Sequence, residues 1–164
     1  MNSKGAFIFN VLIIIVFLAF ANNAAAQEKA PDNMQLLLEK VKADKKLLVA
    51  ENMQLTDAEA KNFWPLYDRY QDELFLIRAR TAKLIKDYAD AYKNMTDAAA
   101  KRLIADYIKI ETLRLKLHKA YLPKFSEILP GAKVVRYYQI ENKVNAALEY
   151  ELAARIPLAK TDKQ

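Results

Sequence analysis

From Thr56 onward, apolar and aromatic residues recur at steps of three and four: Phe63, Leu66/Tyr67, Tyr70, Leu74, Ile77, Thr81, Leu84/Ile85, Tyr88 and Tyr92. That period marks one face of a long helix. Its start is written in Thr56-Asp57-Ala58-Glu59. The Thr hydroxyl can accept from the backbone N–H of Glu59, and the Glu carboxylate can reach back to the N–H of Thr56. Thr96-Asp97 opens a second long helix with Leu103/Ile104, Tyr107/Ile108, Leu115, Leu122, Phe125 and Leu129 inward. Its polar face is Arg102, Asp106, Lys109, Thr112, Lys116 and Lys119. Pro130-Gly131 closes it, and a further helix over 132–155 carries Val134, Tyr137/Tyr138, Val144, Leu148 and Leu152 inward before Pro157 stops it. Upstream, Pro31-Asp32-Asn33 starts a shorter helix with Met34, Leu37, Val41 and Leu48, ending near Asn52. Pro65 and Pro123 each remove a backbone donor inside a long helix and should bend it. The motif Thr56–Lys61 has an echo in Thr96–Lys101, with Thr96 the second capping residue. Either helix starts in general favour such residues, or a helical hairpin was duplicated.

The segment before these helices has a different pattern. Lys4 precedes a nearly unbroken apolar run over residues 6–20, and Ala24-Ala25-Ala26 follows before Gln27. This is the three-part pattern of a secretory signal peptide, with cleavage expected after Ala26. The uninterrupted run over 11–21 is too short to span ~30 Å of hydrocarbon, so contact with the membrane is expected only before cleavage. Residues 27–164 are then a single all-helical domain, frayed over 158–164. A helix of ~35 residues is about 50 Å long, longer than the roughly 35–40 Å diameter of a compact domain of this size. The expected fold is all-α, an elongated, bent four-helix domain with long middle helices, in which a second copy or a client covers the surplus apolar face.

Composition narrows the function. With no Cys in 164 residues there is no disulfide, zinc ribbon, iron–sulfur cluster or covalent haem. Two Gly leave no phosphate loop or dinucleotide fingerprint. A single His cannot build a His-rich metal site, since transition-metal sites take three or four ligands. No cofactor, no metal and no catalytic set is expected, and so no enzyme. Losing Lys4 takes the 26 basic residues to 25, against 20 acidic. Export without cysteine suggests a bacterial periplasm, where a basic chain meets acidic or unfolded protein rather than nucleic acid.

Export, an all-helical mature chain and the helix opening Leu55-Thr56-Asp57-Ala58-Glu59 resemble the Spy/CpxP group of periplasmic stress proteins, over residues 50–155. That group carries a Leu-Thr-x-x-Gln signature at helix starts, often twice. Here Glu59 stands at the Gln position, and the second copy reads Met95-Thr96-Asp97-Ala98-Ala99. Arg136-Tyr137-Tyr138-Gln139-Ile140-Glu141 is similar to the last helix of small exported proteins related to the group. The resemblance implies a bent four-helix chain that dimerises into a cradle, and an ATP-independent chaperone-like or envelope-stress function.

The residues themselves offer few candidates for chemistry. Arg78, Arg80, Lys83 and Lys86, beside Tyr88 and Tyr92, read either as a solvated helix face or as a client-contact surface. In the second case cations steer a client by long-range attraction and tyrosines supply apolar area with a polar tip. Glu111 and Glu141 interrupt apolar rows and call for a basic or phenolic neighbour, with Arg136 and the tyrosines candidates for Glu141. His118 reads as a packed or surface residue rather than a ligand. The expected function is exported, ATP-independent binding of unfolded or partner envelope proteins through an amphipathic helical surface. The alternatives are a regulator docking one envelope sensor and a Skp-type coiled-coil holdase.

Overall fold

Four helices account for most of residues 43–161, the part of the chain described by this computed structural model. They are α1 (residues 43–53), α2 (Asp57–Ala91), α3 (Asp97–Ile128) and α4 (Gly131–Arg155). No strand occurs among the described residues, and the fold is all-α. The expected signal peptide, its cleavage point, and Met34, Leu37 and Val41 lie outside the described residues.

The capping chemistry sets the boundaries. Thr56 is extended and accepts from the N–H of Glu59 at 3.3 Å, while the Glu59 carboxylate accepts from the N–H of Thr56 at 2.8 Å. Both halves of the box are therefore made. Thr96 caps α3 more simply, accepting from the N–H of Ala99 at 3.2 Å. After α1, Gln54 turns the chain with φ 49°, a left-handed conformation in which glycine is usually found. The break between α3 and α4 comes from the extended backbone of Leu129, φ −131° and ψ 146°, as the following proline requires. Gly131 does not take a left-handed cap there but opens α4, whose first turn donates to the Pro130 carbonyl from Lys133 and Val134. Both long helices continue through their prolines. Pro65 and Pro123 are exposed, so water can reach the carbonyls that lose their donors.

The chain divides into two compact units. One, Leu55–Val134 with the chain from Pro157, contains α2 and α3. These two lie antiparallel, because Phe63 near the start of α2 meets Phe125 near the end of α3 at 5.8 Å between ring centroids. Seven residues along α2, Tyr70 meets Tyr121 edge to face at 5.2 Å and Phe125 at 6.0 Å. Tyr67, Leu74, Leu103 and Leu117 extend this buried seam.

The other unit comprises the chain up to Gln54 and Val135–Ile156. Its described core is Val49, Met53 and Tyr137, around an ion pair in which Lys45 Nζ lies 2.9 Å from a Glu141 carboxylate oxygen. Lys45, Val49 and Met53 are spaced four apart on α1, so that helix turns a face inward that does not centre on Leu48.

The inward row expected on the third helix is two rows. Leu103, Ile110, Leu117, Tyr121 and Phe125 are buried against α2. Ile104, Tyr107, Ile108, Leu115 and Leu122 are exposed. At 3.6 residues per turn the two rows are separated by roughly a third of a turn. A single helix partner covers one of them.

Candidate functional site

The basic and tyrosine positions of α2 do not form one surface. Tyr88 and Tyr92 are half-buried and continue the inward row of Leu74 and Ile77, with rings 5.8 Å apart. Lys83 and Lys86 fall on the other side of the helix and are exposed, each bonded at 2.6 Å to an aspartate one turn on, Asp87 and Asp90. Lys83 holds the Asp87 carboxyl below its usual range, and Asp90 raises the Lys86 ammonium. Exposed pairs of this kind contribute little to stability and are screened by salt. Arg80 is exposed and Arg78 half-buried. The tyrosines meet the chain's own C-terminal segment instead. Tyr88 hydroxyl donates to the Pro157 carbonyl at 2.7 Å, and Lys160 Nζ lies 5.4 Å from the centre of the Tyr92 ring. Burial, with Tyr92 second, raises the Tyr88 hydroxyl pKa.

The outer row of α3 is the larger apolar surface. Ile104, Ile108, Leu115 and Leu122 are 61, 57, 54 and 48% exposed and stand on one side of the helix. The row is about 27 Å long. Exposed Lys101 and Lys119 border it, with Lys109 and Lys116 beyond them. The acidic residue within the row, Glu111, is bridged to Arg114 at 3.1 Å, so its charge is offset locally. The result is an apolar strip with a cationic border. The sequence pattern contained this row but merged it with the buried one.

Glu141 lies 2% exposed and is paired with Lys45; of the candidates expected for it, Arg136 is exposed and a tyrosine, Tyr138, lies within reach of its charge. Beside it, burial first and the Glu141 charge second push the Tyr138 hydroxyl up to about 12. Glu59 is bound by Lys133, the main cause of its lowered pKa, with the Thr56 N–H next. Tyr121 donates to Glu73 at 2.6 Å and lies under the Lys124 ammonium, 4.3 Å from its ring centre. Its hydroxyl is pushed up to about 12 by burial and then by Glu73. His118 is half-buried with its ring 6.2 Å from that of Tyr70. Among the described residues no group of three or more His, Cys, Asp or Glu could hold a metal ion, and no helix is long and apolar enough to cross a membrane.

No family model, curated protein or solved structure matches the chain.

Proposed function

We propose that this is an exported, ATP-independent binding protein that shields unfolded or partner envelope proteins. The observation that carries the reading is the outer row of α3: four aliphatic side chains about half exposed or more, aligned along one helix and bordered by cations. Contiguous exposed apolar surface of this kind marks interaction sites. A row of aliphatic side chains suits weak, exchangeable contacts with many sequences. The lysine border adds attraction toward acidic segments. The signal-peptide pattern, the periplasmic location it suggests and the resemblance to Spy/CpxP proteins point the same way. In this reading a homodimer presents the surface.

The test is suppression of aggregation of two unrelated denatured proteins by the purified protein, at near-stoichiometric ratio and without nucleotide. Suppression of both is expected. Suppression of neither overturns general chaperoning and leaves a dedicated regulator of one envelope sensor. A trimer in solution would instead favour the Skp-type holdase.

A further inference from the structure

We propose that Tyr88 and Tyr92 form a receptor for an extended peptide segment carrying a backbone carbonyl and, three residues on, a cation, and that the chain's own Pro157-Leu158-Ala159-Lys160 is its resident, exchangeable ligand. The two tyrosines stand one turn apart on α2, about 6 Å along its axis. They make two different contacts with the segment: a hydroxyl donates to the Pro157 carbonyl at 2.7 Å, and a ring face lies 5.4 Å from the Lys160 ammonium. Two contacts of unlike chemistry fix both the direction and the register of what binds. Proline at the first position suits this geometry because its fixed φ favours extended backbone and it has no N–H needing a partner.

The end of α2 favours a cation for a second reason. The C-terminus of a helix carries partial negative charge, and α2 has no basic residue in its last turn. Tyr92 is the C-cap, so Lys160 brings its charge to the place where the helix itself supplies none.

The segment is held at few points. Residues 157–161 have no regular secondary structure and are exposed throughout, with Leu158 at 91%. Segments with few buried apolar contacts open at low free energy. A competing segment from another protein, with the same carbonyl and cation, can therefore replace the tail. The tail competes from a high local concentration because it is tethered. This inference does not rest on the chaperone reading.

The experiment uses the purified protein, Lys160→Glu and the double variant Tyr88→Phe/Lys160→Glu. A synthetic peptide with the sequence of residues 155–164 is titrated into each, with selectively labelled tyrosine side chains observed by NMR and backbone relaxation recorded for 157–161. Lys160→Glu places an anion against the Tyr92 ring and the helix C-terminus, so the tail is expected to gain mobility. With its tethered competitor gone, the variant should bind the peptide about five- to tenfold more tightly than the parent protein. The double variant should lose that gain, having no hydroxyl to donate. The proposal is overturned if the tail is as mobile in the parent as in Lys160→Glu, if the two bind the peptide equally, or if removing the Tyr88 hydroxyl leaves binding unchanged. No denatured client enters this titration, so its outcome is separate from that of the aggregation assay.

Discussion

Two buried charges hold opposite ends of the chain's described part together: Lys45 and Glu141, 96 residues apart, each almost without exposure. Removing one member takes the paired charge away from a buried ion, which typically costs about 3–5 kcal/mol, whereas replacing both by apolar side chains of similar volume is often neutral or stabilising. Glu141→Ala should therefore lower stability to denaturant by about 3–5 kcal/mol. Lys45→Met with Glu141→Leu should restore it. Comparable losses in the single and double variants would contradict this account. Sequence made half of the pair legible, because Glu141 interrupts an apolar row. Its partner could not be read, since Lys45 lies on another helix and lysine on a periodic face ordinarily points to solvent. The phenols give a second expectation at this scale. Tyr121 and Tyr138 have pKa values raised from 10.0 to about 12 in the folded chain. The neutral forms are favoured by folding, so their contribution is complete below the unfolded pKa and is lost as pH rises from about 10 to 12. Tyrosinate absorbance and denaturant midpoints should move together over that interval. Ionisation of all nine tyrosines near pH 10 would refute the assignment.

Helix boundaries and helix faces differ in how far local sequence determines them. The capping box at Thr56 and the simpler cap at Thr96 depend on residues within one turn, so they are visible in the sequence. Thr56→Ala removes an acceptor for the Glu59 N–H and should cost about 1–2 kcal/mol, with Thr96→Ala near 1 kcal/mol. Thermal or denaturant unfolding checks both. Glu59 adds a pH dependence: its pKa is lowered by Lys133 and the Thr56 N–H. Its contribution is present above the ordinary value of 4.5 and is lost as pH falls through the lower folded value. The stability deficit of Lys133→Met, which removes the first of these causes, should accordingly shrink in acid. The faces of α3 depend on more than sequence. Leu103 and Ile104, or Tyr107 and Ile108, are adjacent in the chain and fit the same broad apolar stripe. Which row is covered depends on where α2 packs, and periodicity along one helix contains no such information. The Tyr88–Pro157 contact is illegible for the same reason, being made across 69 residues. Gln54 at φ 49° is a further case, since a polar side chain there carries no signal of a left-handed turn.

At the scale of the whole molecule, the proposed function depends on the difference between the two rows of α3. The inner row supports the fold. Leu117 is 6% exposed, and Leu117→Ala should cost 2–5 kcal/mol of stability through lost burial and a cavity. The outer row contributes little to the fold of the single chain. Ile108→Gln with Leu115→Gln should leave the denaturant midpoint within about 0.5 kcal/mol of the parent. If a client or a second copy covers that row, each aliphatic side chain brings about 1 kcal/mol of further burial, given that roughly half of it is already shielded. The double variant should then bind clients roughly 30-fold more weakly. Suppression of aggregation and, if the row pairs two copies, the dimer constant should fall by that order. The cationic border acts on a different quantity. Lys116→Gln with Lys119→Gln should slow association with acidic clients and flatten its dependence on salt while changing dissociation little, because exposed charges act mainly on encounter. A loss of binding from Leu117→Ala that tracks its loss of stability, with no loss from the outer-row variant, would move the binding surface off α3. The converse result, a stable protein that no longer binds, is the outcome that the exposed row requires.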